Sequence, residues 1–286
     1  MNKVGFIGVG IMGKSMVRNL MKAGFELHIY ARTKSKVEDV ISEGAQFHES
    51  IKDCVQDCDA VITIVGFPQD VEEVYFDEGN ILDSAKKGAY LIDMTTTSPQ
   101  IAEKIYEEGT KRGFHVMDAP VTGGDTGAKA GTLSILVGGE KEDYEACMSL
   151  FEAMGTNINY QGKAGCGQHC KLANQIMIAG TLSGVCEALT YAKEQGLDPE
   201  VFMKSVATGA AGSKQLDTFG PKILKDDYAP GFFMKHFIKD MKLALIEANR
   251  KGLSLDVLSM VLANYEELEQ EGYGDLGTQA LIKYYE

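Results

Sequence analysis

Short apolar runs alternate with amphipathic segments through the first half of this chain. The runs have the length of buried strands, and the segments between them have the spacing of helices that cover a sheet. The predicted strands are Val4–Gly8, Glu26–Tyr30, Ala60–Val65, Ala89–Asp93, Gly113–Asp118 and Leu133–Gly138. The predicted helices between them include Lys34–Glu43, Val71–Tyr75 and Pro99–Arg112. This alternation predicts a doubly wound α/β fold, in which ligands bind beyond the carboxyl ends of parallel strands.

The pattern changes after Gly162. Residues 167–195 form a long run rich in Ala, Leu, Ile and Met, and helical stretches follow at Pro199–Thr208, Phe237–Lys251 and Ser254–Gln270. We predict no strand in this half. The sequence therefore predicts an α/β domain at residues 1–163 and an all-α domain at residues 164–286, joined by a long connector helix.

A glycine-rich turn separates the first predicted strand from the first predicted helix. It reads Gly8-Val9-Gly10-Ile11-Met12-Gly13. In such a turn the first glycine permits the bend, the second lets a pyrophosphate approach the backbone, and the third allows close helix–strand packing. A plain strand–turn–helix is the alternative, but the order of elements favours a dinucleotide at the helix N-terminus. The first domain is therefore predicted to be Rossmann-type, with residues 8–13 holding a nicotinamide or flavin cofactor.

The net charge of −13 argues against nucleic acid and anionic membranes as partners. We find no apolar run that approaches the roughly 18 residues needed to span a bilayer, so we predict no membrane-spanning segment. The first residues also lack the cleavage site of a signal peptide. We therefore expect a cytoplasmic protein.

The cysteines include two pairs spaced four residues apart, Cys54/Cys58 and Cys166/Cys170, and His169 lies beside the second pair. This spacing does not match a zinc finger or ribbon. It is one helical turn, which is typical of small buried thiols on a helix face. We therefore predict no metal site and reduced thiols.

The residues after the second predicted strand bear on the choice between NAD and NADP. An acidic residue there accepts hydrogen bonds from the ribose of NAD, whereas arginine accommodates the 2′-phosphate of NADP. Here Ala31 stands at the expected acidic position, and Arg32, Thr33 and Lys36 are candidate phosphate ligands. A solvated basic turn is the alternative. The sequence favours NADP (NADPH), with Val65 at the end of the third predicted strand as a further cofactor contact.

Two further segments carry candidate chemistry for a small carboxylate substrate. Thr122-Gly123-Gly124 follows a strand, and its backbone N–H groups are suited to a carboxylate, although a flexible glycine loop is an equal alternative. Lys171 and Asn174 are three residues apart on the predicted connector helix and share one face. A partly desolvated lysine beside a cationic nicotinamide has a lowered pKa and can donate a proton. A lone helix lysine is usually solvated, so this interpretation depends on its neighbours.

The chain resembles the β-hydroxyacid dehydrogenases along its whole length. The segments that carry the resemblance are FIGVGIMG with MVRNLMKAG, DMTTTSP, DAPVTGG with GTLSILVGG, GCGQHCKLAN and KHFIKDMKLAL. ARTKSK and MKHFIKDMKLAL are most similar to the NADPH-dependent glyoxylate/succinic semialdehyde reductase branch. The resemblance implies a Rossmann domain, a helical domain that pairs in a homodimer or homotetramer, and reduction of a carboxylate-bearing aldehyde to a hydroxyacid.

The resemblance also implies roles for individual residues. Lys171 matches the catalytic lysine and Asn174 the substrate-binding asparagine. The remaining matches are Thr122, Gly123 and Gly124 in the substrate-carboxylate loop, Thr96 near the nicotinamide, Lys239 at the cofactor, and Phe232 and Asp240 lining the site. We further hypothesise that Asp240 steers or balances Lys171.

Several alternatives stay open from the sequence. The family often has serine at the position of Thr122 and a second asparagine at that of Gln175, which leaves the substrate undecided. The enzyme could be a 3-hydroxyisobutyrate or tartronate semialdehyde-type dehydrogenase. Imine reductases share the architecture but generally lack the lysine that matches Lys171. A non-catalytic nucleotide-binding module is the alternative from another class.

Overall fold

The computed structural model describes all 286 residues, and its contacts divide the chain into two compact units. Unit 1 is Met1–Lys171 and unit 2 is Leu172–Glu286. The predicted long helix is continuous from Cys166 to Glu194, so its first turns belong to unit 1. The boundary at 163/164 stays a prediction.

Unit 1 contains every strand of the protein. The strands are β1 Lys3–Ile7, β2 Glu26–Tyr30, β3 Gln46–Phe47, β4 Ala60–Thr63, β5 Tyr90–Asp93, β6 His115–Asp118, β7 Val121–Thr122, β8 Leu133–Gly139 and β9 Gly155–Gly162. Its helices are α1 Ile11–Lys22, α2 Glu38–Ser42, α3 Ile51–Val55, α4 Pro68–Phe76, α5 Ile81–Ser84, α6 Pro99–Lys111, α7 Gly124–Ala130, α8 Lys141–Ala146 and α9 Met148–Met154. Where the sequence predicts one helix over Lys34–Glu43, a 3-10 turn at Lys34–Lys36 is followed by α2.

The strands form one mixed sheet in the order β3-β2-β1-β4-β5-β6-β8-β7, with β9 beside β8. Strands β1 to β6 pair in parallel, and so do β8 and β9, whereas β8 runs antiparallel to β6 and β7. The order reverses between β1 and β4, which opens the crevice where doubly wound folds bind ligands. The predicted fold class is confirmed, but β3, β7 and β9 were missed because they are short or polar.

The sheet has a core on each face, as the alternation of side chains along a strand requires. Phe6 of β1 packs with Met16 and Leu20 of α1 on one face. Its neighbour Ile7 packs with Tyr75 and Leu91 on the other. These buried strands hold the loops at their carboxyl ends in fixed positions.

Unit 2 is built from the part of helix α10 (Cys166–Glu194) that begins at Leu172 and from four helices that follow it: α11 Pro199–Ala207, α12 Lys214–Ile223, α13 Met234–Arg250 and α14 Asp256–Gln270. The predicted absence of strands holds except for one isolated bridge between Phe233 and Gly277. Phe237 of α13 and Tyr265 of α14 are fully buried and meet edge to face, with ring centroids 5.4 Å apart.

Helix α10 corrects one expectation from the sequence. By length and composition alone it is apolar enough to cross a membrane, contrary to the prediction that no segment is. This is weak support for a membrane span, because the core helices of globular proteins pass the same test. In unit 2 one face of α10 contributes Ala179, Leu182, Cys186 and Leu189 to the hydrophobic core.

Candidate active site

The turn between β1 and α1 has the geometry that its glycines predict. Gly8 has φ +97°, and a Cβ there would collide with the carbonyl oxygen of Ile64. A Cβ at Gly13 would collide with the carbonyl oxygen of Gly8, because α1 packs directly on the turn. Both positions therefore exclude any larger residue.

Gly10 is different, because a Cβ there would meet no atom within 4 Å. Gly10 is also the N-cap of α1, which has no side-chain cap and no acidic residue in its first turn. The space at Gly10 is therefore open, and the first turn of α1 carries no carboxylate of its own. Val9 is buried, whereas Ile11 is exposed and Met12 half-buried. Open space at a helix N-terminus fits the pyrophosphate of a dinucleotide.

Arg32, Thr33 and Lys36 lie at the carboxyl end of β2, and all three are exposed. The Arg32 guanidinium forms an ion pair with Asp70 of α4 at 3.1 Å. Asp70 also accepts the Phe67 backbone N–H at 3.0 Å, which begins α4. Arg32 is therefore held near the crevice by a residue that serves a second structural purpose.

A hydrogen-bond network connects the carboxyl ends of β4 and β5. Asp93 accepts bonds from the Thr63 hydroxyl at 2.8 Å and the Thr95 N–H at 3.1 Å. The Thr95 hydroxyl accepts the Val65 N–H at 3.0 Å. Asp93 is buried and its Oδ2 has no hydrogen-bond partner, and burial raises the pKa of this carboxyl to about 6. The loop that carries Thr96, which is half-buried, therefore starts from a buried polar anchor.

The predicted glycine loop is more ordered than the sequence indicates. Thr122 belongs to β7 and pairs with Ser134 of β8, and the seven-residue helix α7 follows at once. Gly123 has φ +131° and Gly124 φ +64°, conformations that favour glycine. Thr122 is half-buried and both glycines are exposed. A Thr hydroxyl and two side-chain-free residues therefore stand together at the end of a fixed strand.

The first turns of α10 are joined to the sheet by Asp118, which ends β6. Its two carboxylate oxygens accept the N–H groups of Gly165 and Gln168, both at 2.8 Å. The Gln168 side chain reaches the loop after β5: its Nε2 donates to the Thr95 carbonyl at 2.7 Å, and its Oε1 accepts the Thr97 N–H at 3.0 Å. Burial raises the pKa of Asp118 above its ordinary value.

Lys171 follows Gln168 by three residues on the same helix and is only 7% exposed. A buried lysine is uncommon unless polar groups stabilise its amine. Asn174 lies three residues further along α10 and is half-buried. The helix therefore presents the two predicted residues on neighbouring turns of one face.

In unit 2, Gln175, which was not predicted as a site residue, connects three residues that were: Asn174, Asp240 and Lys239. The Asn174 amide donates to Gln175 Oε1 at 2.8 Å, and Gln175 Nε2 donates to Asp240 Oδ2 at 2.6 Å. Lys239 Nζ lies 2.8 Å from Asp240 Oδ1, so these two predicted site residues form an ion pair. Phe232, half-buried, packs beside Phe237 in the same unit.

No cysteine belongs to a group of three or more His, Cys, Asp or Glu side chains that could hold a metal ion. Cys54 and Cys58 are buried as predicted, and burial raises the pKa of both thiols. Cys166 and Cys170 are only half-buried, so the prediction of buried thiols is wrong for the second pair.

Four polar residues of these networks were not predicted: Asp93, Asp118, Gln168 and Gln175. Each is at least 97% buried. A signal was available for the aspartates, because each ends a predicted apolar strand at the edge where ligands bind. For the glutamines the helical pattern gave no sign that an amide would be buried.

The chain matches two sequence families that together cover nearly its whole length. Residues 3–162 match the NAD binding domain of 6-phosphogluconate dehydrogenase. Residues 165–285 match the family described as NAD-binding of NADP-dependent 3-hydroxyisobutyrate dehydrogenase.

Individual proteins are similar over equally long ranges. The uncharacterized oxidoreductase YkwC of Bacillus subtilis is 49% identical over 280 residues, 98% of this chain and 97% of the relative. Probable 3-hydroxyisobutyrate dehydrogenase-like 1 of Arabidopsis thaliana is 44% identical, covering 98% of this chain and 84% of the relative. Among solved structures, 3-hydroxyisobutyrate dehydrogenase of Mycobacterium tuberculosis with L-serine has a TM-score of 0.90 at 26% identity, covering 99% and 98% of the two chains.

Two more distant relatives have names that specify an activity. Glyoxylate/succinic semialdehyde reductase 1 of Arabidopsis thaliana is 32% identical, covering 98% of this chain and 97% of the relative. NAD-dependent L-serine dehydrogenase of Pseudomonas aeruginosa is 34% identical, covering 96% and 95%. The names differ in substrate and agree in the class of reaction. This chain belongs to the β-hydroxyacid dehydrogenase family of NAD(P)-dependent oxidoreductases.

Proposed function

We propose that this protein is an NADPH-dependent reductase of small carboxylate-bearing aldehydes, with succinic semialdehyde and glyoxylate as the first candidates. The observation that carries the proposal is the buried Lys171, one helical turn before Asn174 on α10. The similarity to glyoxylate/succinic semialdehyde reductase 1 supports this substrate class.

The chain's own residues divide the work of this reaction. Thr122, Gly123 and Gly124, together with Asn174, bind the substrate carboxylate. Lys171 donates a proton to the carbonyl oxygen as the hydroxyl forms, and general acid catalysis contributes about 10²–10⁴-fold. NADPH, held by the glycine turn, by Val65 and Thr96, and by Lys239, supplies the hydride when bound.

The choice of NADPH rests on Arg32. Its guanidinium is exposed at the end of β2, where Ala31 leaves no carboxylate to bind a ribose hydroxyl. Thr33 and Lys36 supply a further hydroxyl and a further cation. We expect the double variant Ala31→Asp/Arg32→Ala to shift the kcat/KM ratio toward NADH. An unchanged cofactor ratio would contradict the assignment.

The test of the reaction is the initial rate with NADPH and NADH, using succinic semialdehyde and glyoxylate in parallel. We expect turnover that is selective for NADPH. Lys171→Ala should lower kcat at least a hundredfold while NADPH binding persists, and Lys193→Ala, an exposed lysine of the same helix, is the matched control. Near-normal turnover by Lys171→Ala would exclude this mechanism.

A second candidate is a 3-hydroxyisobutyrate or tartronate semialdehyde-type dehydrogenase that works in the oxidative direction. The 44% identity to probable 3-hydroxyisobutyrate dehydrogenase-like 1 favours it. Rates of NADP reduction with 3-hydroxyisobutyrate and with glycerate distinguish it from the reductase. An imine reductase is disfavoured because Lys171 is present, and solved imine reductases match only at 16–17% identity.

We also propose that the protein is a homodimer or homotetramer. Large apolar side chains that remain exposed are concentrated in unit 2, among them Met177, Tyr191, Val201 and Val257, each at least 58% exposed. Such groups mark interaction surfaces when they cluster. Light scattering of the purified protein tests this directly, and a monomer at micromolar concentration would contradict it.

A further inference from the structure

Gln168 is a fully enclosed polar side chain three residues before the proposed catalytic lysine on α10, with no exposed surface. Both ends of its amide bond to main-chain groups of one loop. Nε2 donates to the Thr95 carbonyl at 2.7 Å, and Oε1 accepts the Thr97 N–H at 3.0 Å. The two bonds flank Thr96, so they fix the peptide groups on both sides of this residue.

The backbone of Gln168 is fixed as firmly as its side chain. Its N–H donates to Asp118 Oδ2 at 2.8 Å, and its neighbour Gly167 lies so close to β8 that a Cβ there would collide with the Leu136 carbonyl oxygen. The start of α10 therefore cannot shift against the sheet without breaking these contacts. Because its backbone is fixed against the sheet, the Gln168 side chain fixes the loop it bonds to at the same place.

We infer that Gln168 is a positioning residue that holds the loop Thr95–Thr97 in register with the first turns of α10, and so sets Thr96 relative to Lys171. The inference rests on the proposed function for the roles of Thr96 and Lys171. A helix rises about 1.5 Å per residue, so Lys171 lies nearly one turn beyond Gln168 on the same rigid segment. The position of Thr96 relative to Lys171 then depends on this amide.

A buried glutamine also satisfies backbone groups in proteins where it has no role in catalysis. The two interpretations differ in what a substitution changes. A purely structural glutamine affects only folding, whereas a positioning residue affects kcat in protein that is fully folded. Glutamate separates them further, because protonated glutamate donates to the Thr95 carbonyl as glutamine does, but ionised glutamate places a negative oxygen against that carbonyl.

The experiment compares Gln168→Leu and Gln168→Glu with the wild type, using Gln195→Leu and Gln195→Glu as matched controls at an exposed position of the chain. We expect Gln168→Leu to lower kcat at least tenfold at temperatures where thermal melting shows it folded. The kcat of Gln168→Glu relative to wild type should rise at least fivefold as the pH falls from 8.5 to 6, as assayed with NADPH and succinic semialdehyde. Deuterium exchange of a peptide that spans Thr95–Thr97 should accelerate in Gln168→Leu and not in the controls.

A folded Gln168→Leu variant with kcat within twofold of wild type would overturn the inference, and so would a Gln168→Glu ratio that is flat with pH. Unchanged deuterium exchange at Thr95–Thr97 would show that Gln168 does not hold this loop. A wild-type protein that turns over no substrate would instead contradict the proposed function. Faster exchange in Gln168→Leu would then show that Gln168 holds the loop but would leave it with no role in catalysis.

Discussion

Gln168 and Gln175 are two buried glutamines of α10 that lie seven residues apart and bond to different kinds of group. Gln168 bonds to main-chain groups of a loop in unit 1, whereas Gln175 bonds to the side chains of Asn174 and Asp240 in unit 2. Both networks also contain buried aspartates. In unit 1, Asp118 accepts the Gln168 N–H, and Asp93 has one unpartnered oxygen; in unit 2, Asp240 is ion-paired with Lys239.

The comparison teaches that burial of an amide does not by itself indicate its role. An amide that holds backbone groups fixes the position of a loop, because peptide groups cannot rotate away from it. An amide that holds side chains fixes the orientation of those side chains and the place of a charge. The two networks should therefore respond differently to substitution and to pH.

The largest effect is expected where the ion pair is broken. Asp240→Leu removes the carboxylate that Lys239 and Gln175 contact, in a place where the Asp240 side chain is 1% and that of Lys239 12% exposed. Breaking a buried pair by removing one partner costs about 3–5 kcal/mol. Urea unfolding should show this loss, and Asp240→Asn, which keeps an acceptor for Gln175, should lose less. A loss below about 1 kcal/mol would show that the pair does not stabilise unit 2.

Replacing Asp93 is expected to raise the free energy of unfolding at neutral pH, by somewhat less than replacing Asp240 lowers it. Burial raises its pKa from 3.8 to about 6, so the folded state binds the proton more tightly than the unfolded state. The stability that Asp93 contributes is therefore greatest at low pH and falls as the pH rises from about 4 to about 6. Asp93→Asn removes this dependence and should be more stable than wild type at pH 7 by up to about 3 kcal/mol.

Urea unfolding of Asp93→Asn and wild type at pH 4.5 and pH 7.5 measures this difference. The exposed Asp57→Asn is the matched control and should show no such dependence. If the advantage of Asp93→Asn were equal at both pH values, Asp93 would not be the titrating group. That result would weaken the contrast with the ion-paired Asp240.

The smallest effect is expected in the kinetics of Gln175→Leu. This variant leaves Asn174 without the acceptor that orients its amide, so we expect KM for the aldehyde to rise about tenfold, equivalent to about 1.4 kcal/mol. The kcat should change less than in Gln168→Leu, and NADPH affinity should stay the same. A variant that lowers kcat and leaves KM unchanged would mean that the two glutamines act alike.

The elements that the sequence predicted are those with a strong local pattern. The strand over Glu26–Tyr30 is matched to the residue, and the long helix predicted at 167–195 begins and ends one residue earlier. The turn at Gly8, Gly10 and Gly13 was predictable because its glycines form a local motif: a Cβ at Gly8 or Gly13 would collide with the backbone, and Gly10 leaves the N-terminus of α1 open. Strand β9 was not, because Asn157, Asn159 and Gln161 are polar and exposed and it pairs only with β8.

The candidate site was predictable in its exposed and motif-bearing residues and not in its buried supports. Lys171 and Asn174 are chemically conspicuous and lie on one helix face. Gln168 became important only when the fold brought residues 95 and 97 within reach of it, more than seventy positions away in sequence. Long-range hydrogen bonds of this kind leave no periodicity in a single sequence.

Asp70 has a consequence for how cofactor preference could evolve. One of its carboxylate oxygens pairs with Arg32, and the other accepts the backbone bond that begins α4. Arg32 is 70% exposed, and a pair of that kind contributes only about 0–1 kcal/mol. A lineage that exchanged Arg32 would lose the proposed phosphate contact while the start of α4 stayed intact. Selection could therefore change the proposed nucleotide preference through substitutions at Arg32 and Ala31, and the exchange of Arg32 would cost little stability.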